Sequence, residues 1–344
     1  MSITRSTIVV TGGAGFIGSE LVRQLASQGE PVVVIDNLVN GKRENLDECA
    51  PGAVTLIEAD LRDLPAVRPH LRDAKVVYHL ACLGARHSLH SPIENHDVNA
   101  TGTLHLLNAS WAASVPRFVY VSSSEIYGTA SRVPMTEEHP IVPSTVYGAS
   151  KLAGECYARA FFLAYSYPTV VVRPFNTYGP RCHHEGDSGE VIPKFLLRCL
   201  ANRPMVVFGD GTQTRDFAFV EDTARGIILA ATSDKAVGRT LNLGSGREIA
   251  INDLALAIAG VAQRTPRLLH DDPRPGDVLR LCADVSQARD ILGFSVRVSL
   301  TEGLGRLLAW YQAQDKSPEE LLEDEVTRNW NPKAARQAPR VPAP

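Results

Sequence analysis

Apolar residues in this chain gather in short, almost unbroken runs, separated by stretches where they recur at helical spacing. Ile8–Val9–Val10, Pro31 to Ile35, Val54 to Ile57, Val76 to Ala81, Arg117 to Val121 and Thr169 to Val172 are such runs. They are too short for buried helices and rich in β-branched residues, so each reads as a strand covered on both faces. Between them, Ser19 to Gln28, Asn95 to Ala113 and Tyr147 to Tyr165 read as helices. Strand and helix in strict alternation predict an α/β fold with a doubly wound parallel sheet. Ligands of such a sheet bind at the carboxyl ends of its strands, so the residues that follow each run are the candidates for chemistry.

Those residues form a pattern. The first run leads into Thr11–Gly12–Gly13–Ala14–Gly15–Phe16–Ile17–Gly18. Gly12 permits a tight turn, Gly15 lets a pyrophosphate approach the backbone, and Gly18 lets the next helix pack on the strand. The amides at the start of that helix, Phe16 and Ile17 among them, face the phosphates. The second run ends in Asp36–Asn37. An acid there accepts hydrogen bonds from a ribose diol and repels a 2′-phosphate, so NAD is expected over NADP. Asp60 and Leu61 end the third unit and are placed to meet the adenine. Leu80 and Ala81 close the fourth run, and Asn99 on the following helix completes the expected cofactor set with Pro174.

The stretch from Ser122 to Lys151 carries the reactive groups. Tyr147 and Lys151 are four apart and share a helix face. A free phenol is a poor base at neutral pH, and an ammonium one turn away favours its ionised form. Ser123 and Ser124, at the end of the preceding strand, supply a hydroxyl to the same place. The set is a proton relay able to deprotonate an alcohol, as hydride removal from a carbinol requires.

Composition adds boundaries. A chain of 344 residues with 44% hydrophobic and 21% charged residues is a globular protein of one large or two fused domains. The net charge of -3 gives no electrostatic case for nucleic acid or an anionic membrane surface. No apolar run reaches the length of a membrane span, and Met1 to Thr7 is too short and polar for a signal peptide. Six cysteines without a Cys-x-x-Cys pair fit free thiols in a cytoplasmic protein. The pairs His87/His90 and His183/His184 lack a carboxylate or cysteine that completes a metal site, so no metal is expected.

TGGAGFIG, the Tyr-x-x-x-Lys pair and RPFNTYGPR (Arg173 to Arg181), in that order, resemble the extended short-chain dehydrogenase/reductases that act as nucleotide-sugar epimerases, dehydratases and decarboxylases. The resemblance covers roughly residues 7 to 312. It implies NAD recycled within each turnover and a sugar nucleotide bound against a smaller C-terminal α/β domain. It also implies a homodimer formed through the Asn95–Ala113 and Tyr147 helices.

On this reading residues 1–176 form the NAD-binding domain, with 213–244 returning to it. Residues 177–212 and 245–330 form the substrate domain, and 331–344 a disordered tail. Ser317 to Val326 reads as an acidic, exposed helix. By resemblance Asn176, Arg215 and Arg274 hold the substrate diphosphate, with Asp277 beside them. Val191, Lys194 and Val207 belong to the nucleotide pocket, and Arg86 faces the sugar.

The shared first step is C4 oxidation to a transient 4-ketone. Glu125 stands where the family's dehydratases carry a glutamate acting at C5, and Ser124 replaces the aspartate of the dTDP-glucose enzymes. The Ser-Glu pair resembles GDP-mannose dehydratases and UDP-glucuronate decarboxylases. The expected outcome is therefore 4,6-dehydration or uronate decarboxylation, with 4-epimerisation of UDP-glucose or UDP-glucuronate as the alternative. A non-catalytic NAD-binding scaffold is the remaining class, and the intact Ser123, Tyr147 and Lys151 stand against it.

Overall fold

A computed structural model describes residues 6–186, 188–274 and 278–328. The predicted alternation is there. Strands β1 (Thr7–Thr11), β2 (Val32–Asp36), β3 (Val54–Glu58), β4 (Ala74–His79), β5 (Phe118–Val121) and β6 (Thr169–Pro174) enter one parallel sheet. β7 (Asn176–Tyr178), β8 (Met205–Phe208) and β9 (Thr214–Phe219) lie outside it, and β10 (Thr240–Leu243) closes its far edge. The order across the sheet is β10-β6-β5-β4-β1-β2-β3, a Rossmann arrangement.

Successive side chains of a strand point to opposite faces, and the two layers of core follow from that. Ile8, Val10, Val119, Val121, Val170 and Val172 pack with Leu21 and Leu25 of the helix Phe16–Ser27 and Ile227 of the helix Val220–Thr232. Val9, Phe118, Tyr120 and Val171 pack on the other side with Leu106, Leu107, Ala158 and Phe161. These come from the helices Gly102–Ala112 and Val146–Tyr165. β1, β2, β4, β5 and β6 thus have both faces covered, while β3, at the sheet edge, holds no fully buried residue and exposes Thr55 and Glu58.

The smaller lobe holds two sheets. β7 and β9 join β11 (Glu248–Ala250), and β8 pairs in parallel with β12 (Leu268–Asp271). The helices Val191–Leu200, Ile251–Val261 and Leu300–Gln312 cover them through Leu196, Leu254, Ile258, Leu304 and Leu307. Because β9 belongs to this lobe, the segment that returns to the large sheet begins at Val220, not at residue 213. Arg181 ties the lobes together: its guanidinium donates to Ser19 Oγ at 3.1 Å and to Glu20 at 2.8 Å, both on the first helix.

Other boundaries differ from the expectation. The first helix starts at Phe16, because Gly15 is extended and serves as its N-cap. The stretch expected as one helix from Asn95 to Ala113 carries a π turn at Asp97–Thr101 between Pro92–His96 and Gly102–Ala112. The acidic segment after Ser317 is helical only over Pro318–Leu321, where Ser317 and Glu320 form a capping box. The chain beyond it runs back over the smaller lobe. Residues 331–344, expected to be a disordered tail, and Asp277 lie outside the described residues.

Candidate active site

A cavity of about 740 Å³ runs from the carboxyl ends of β1, β2, β4 and β5 to the smaller lobe. At one end of it stands the glycine-rich turn after β1. Gly12 has φ 71, and a Cβ on it would meet Ala81 N at 2.6 Å. A Cβ on Gly18 would meet Gly12 O at 2.0 Å. Neither position accepts a side chain without moving backbone, and Gly12, Gly15, Phe16, Ile17 and Gly18 line the cavity at a helix N-terminus.

Asp36 ends β2 at the same wall. Its Oδ2 accepts from Ala14 N at 3.0 Å and its Oδ1 from Leu38 N at 2.9 Å. A carboxylate has about four acceptor sites, so a ribose diol still finds partners there. Burial pushes the Asp36 carboxyl up, against these two backbone bonds. Asn37 donates to Asp60 at 3.1 Å. Asp60, chelated by Arg62, is held down at about 2. Asp60, Leu61, Leu80, Ala81 and Pro174 line the cavity as expected.

Replacing Asp36 with alanine is expected to weaken NAD and to shrink its preference over NADP by about tenfold, ~1.4 kcal/mol. Calorimetry with both cofactors checks this. Tighter binding of NADP by the unaltered protein would undo the ribose assignment. The nearby cations are engaged elsewhere, Lys42 with Glu185 and Arg43 with Glu58 at 3.0 Å.

The reactive end is built by β5 and the Val146–Tyr165 helix. Thr145 caps that helix, accepting from Gly148 N at 3.0 Å, and so fixes Tyr147 in its first turn. Burial, with the Cys82 thiol next in effect, raises the Tyr147 phenol above its ordinary range. A hydrogen bond with the Ser123 hydroxyl opposes that. Ser123 Oγ accepts from Glu125 N at 3.2 Å, which leaves its own proton to donate.

Lys151 departs from the expectation. Its ammonium donates to Val121 O at 2.6 Å and lies 4.7 Å over the Tyr120 ring. Burial lowers its pKa. Ser123, Ser124, Glu125, Tyr147 and Lys151 all reach the cavity.

Toward the smaller lobe the wall carries Arg86, Asn176, Val191, Lys194, Arg215 and Arg274. Asn176 Oδ1 is buried and without a hydrogen-bond partner; a diphosphate, whose oxygens only accept, would meet the other end of this amide, its N–H₂ group. Arg215 donates to Thr214 O at 2.8 Å and Val278 O at 2.6 Å, and Arg274 stacks 5.4 Å over Phe208. Burial lowers Lys194 to about 8; Glu325 opposes this, while Arg274, Arg86 and Arg198 reinforce it.

Two expected contacts do not reach the cavity. Val207 is 1% exposed in the core of the smaller lobe, while its neighbours Val206 and Phe208 line the cavity. The alternation of β8 turns Val207 away. Asn99 is also 1% exposed. Its amide bonds Leu83 N and O at 2.8 and 2.9 Å and Ser150 Oγ at 3.1 Å, so it braces the β4 loop against the Tyr147 helix. Cys82 and Thr327 line the cavity without having been expected there, beside Phe208 and Gln213 from the segments whose Val207 and Arg215 were the expected contacts. Cys82 was legible as the residue after Leu80–Ala81; Thr327 had no signal in its local sequence.

Comparison with known proteins fits this geometry. The NAD dependent epimerase/dehydratase family matches residues 8–244. A putative UDP-glucose 4-epimerase of Methanocaldococcus jannaschii is 33% identical over 313 residues, 90% of this chain and 100% of that protein. UDP-glucuronic acid decarboxylase 1 of Arabidopsis thaliana is 33% identical over 89% of this chain and 69% of its own length. The solved UDP-N-acetylglucosamine 4-epimerase of Methanobrevibacter ruminantium, in complex with UDP-N-acetylmuramic acid, superposes with a TM-score of 0.86. It is 33% identical, with 90% of this chain and 99% of that one covered. The chain belongs to the NAD-dependent epimerase/dehydratase family of extended short-chain dehydrogenases/reductases, whose cofactor is NAD.

Proposed function

We propose that the protein is a 4-epimerase of nucleotide sugars, with UDP-sugars as its substrate class. The observation that carries this reading is the likeness of the chain, over about nine-tenths of its length, to proteins named as 4-epimerases. The wall around Tyr147, whose Ser124–Glu125 pair also resembles dehydratases and decarboxylases, is compatible with it. Among the described cavity residues, the carboxylate acting on Tyr147 is Glu125, and Ser124 stands beside it in place of a second acid. Loss of water from a 4-ketone needs a base at C5 and an acid for the departing hydroxyl. Epimerisation needs only the relay at O4. The names of the similar epimerases support the same choice.

Gly12, Gly15 and the amides of Phe16 and Ile17 would hold the NAD pyrophosphate, Asp36 and Asn37 the adenosine ribose, and Lys151 the nicotinamide ribose. Bound NAD would supply the reversible hydride acceptor for sugar C4. Tyr147 accepts the O4 proton, and Ser123 bridges it because the Glu125 amide fixes its oxygen as acceptor. Asn176, Arg215 and Arg274 grip the diphosphate, arginine by its planar fork. The sugar is left free to turn its other face while the nucleotide stays anchored.

A homodimer belongs to this reading. Trp111, Leu163 and Tyr165 are exposed on the Gly102–Ala112 and Val146–Tyr165 helices, with the Trp111 and Tyr165 rings 4.8 Å apart. A solvated apolar face of this kind is costly unless a second chain covers it.

Decarboxylation is the second reading, favoured by Glu125 at the cavity and by the plant relative. Turnover of UDP-glucose and UDP-glucuronate in heavy water separates the cases. The expected result is inversion at C4 without deuterium at C5, and a near-normal rate in Glu125→Gln. Deuterium at C5 in a 6-deoxy-4-keto product, or carbon dioxide released from the uronate, with Glu125→Gln stalled after C4 oxidation, would replace the epimerase reading.

A further inference from the structure

The segment after the Pro318–Leu321 helix lies outside the span matched by the family. Leu322 is buried in the core of the smaller lobe. Asp324 O accepts from Gly186 N at 2.9 Å, and Glu325 forms a parallel bridge with Gly186. At the other end Arg328 grips the end of β12, donating to both oxygens of its last residue Asp271 and to Asp272 beyond it at 3.0 Å. The chain between these two anchors crosses the cavity wall, where Glu325 and Thr327 are lining residues.

What it touches there are the cations of the helix Val191–Leu200. Val326 O accepts from Lys194 Nζ at 2.9 Å. Arg198 donates to Glu325 Oε1 at 2.9 Å and to Thr327 Oγ1 at 3.2 Å. Both members of the Arg198–Glu325 pair are largely buried, with side chains 13% and 7% exposed. A long cation left unpartnered at such a wall samples many rotamers, and ordering it on binding costs affinity. Here one seven-residue segment fixes Lys194 in advance and, together with Pro204 O, which accepts from Arg198 at 2.9 Å, fixes Arg198 as well.

We propose that residues 322–328 are a strap that forms the outer wall of the nucleotide subsite. It positions Lys194 and Arg198 for the nucleoside diphosphate of the substrate. The strap acts on substrate affinity and not on the reaction, because Ser123 and Tyr147 belong to the other lobe. The inference rests on the nucleotide-sugar reading above, and Arg328 is its positioning residue.

The test uses the full chain with UDP, dTDP and GDP as probes in calorimetry. Arg328 is about half exposed, so its replacement leaves the core intact. Arg328→Ala is expected to bind UDP about tenfold more weakly, the order of effect for losing preorganisation of one or two side chains. NAD affinity and melting temperature stay as in the wild type. Arg328→Lys restores part of the affinity, since it keeps the charge and loses the fork. In turnover, KM for the sugar nucleotide rises while kcat holds. Equal UDP affinity in wild type and Arg328→Ala overturns the strap. So does a joint loss of UDP binding, NAD binding and melting temperature, which marks a merely structural contact. Failure of the wild type to bind any of the three diphosphates brings down the nucleotide-sugar reading, and the strap's role with it.

Discussion

Tyr147→Phe is expected to retain NAD and sugar nucleotide and to lose hydride transfer by a factor of about 100 or more, the usual worth of a positioned general base. The phenol is the group on which the relay converges. Ser123 bonds to it, Glu125 and Cys82 act on it electrostatically, and the Thr145 cap holds its helix turn. Phenylalanine keeps the ring and its packing, so the loss falls on proton transfer. Single-turnover absorbance of the reduced nicotinamide, beside calorimetry for NAD, separates chemistry from binding. A variant that turns over at a near-normal rate removes Tyr147 from the mechanism. Burial raises the phenol in this structure and the Lys151 ammonium is turned to Val121 O, so the ion pair drawn from helical spacing is not what sets the tyrosine here. The i, i+4 spacing put both residues on one face and could not tell which carbonyl the lysine would meet.

The same division between local pattern and tertiary partner runs through the molecule. Six strands were legible, five of them because parallel strands buried on both faces must be apolar throughout and the edge strand β3 because its apolar run survives one exposed face. Gly12, Gly18 and Asp36 were legible because backbone sterics and charge leave few substitutes. Val207 was misplaced by one residue, and one residue in a strand is the difference between cavity and core. Asn99 looked like a ligand-facing amide. It is consumed by Leu83 and Ser150, partners 16 and 51 residues away that no local pattern announces. The strap was the least legible part. An acidic run reads as a solvated helix, and only the fold brings Glu325 to Arg198, 127 residues earlier in the chain.

Glu155→Ala is expected to destabilise the fold by about 3–5 kcal/mol, because it strands a buried guanidinium. Glu155 and Arg173 have side chains 0% and 1% exposed, joined by two bonds of 2.9 and 2.7 Å. Burial works against the charge of Arg173, and Glu155 and Tyr127 together more than offset it, holding the guanidinium above its ordinary range. The network goes on: Arg173 donates to Tyr127 Oη at 2.7 Å, and Tyr127 donates to Asn242 Oδ1 at 2.7 Å. The Asn242 amide donates in turn to Met135 O at 2.9 Å. One carboxylate therefore fastens the helix of Tyr147 and Lys151 to β6, whose last residue Pro174 lines the cavity, and through it to β10. Replacing both partners by apolar residues of similar volume, Glu155→Leu with Arg173→Met, removes the stranded charge. It should recover much of the loss, as replacement of buried pairs often does. Denaturant unfolding of the two single variants and the double variant measures this directly. A Glu155→Ala protein within about 1 kcal/mol of wild type would mean that water or rearrangement satisfies Arg173, and that the helix is held by its apolar face alone.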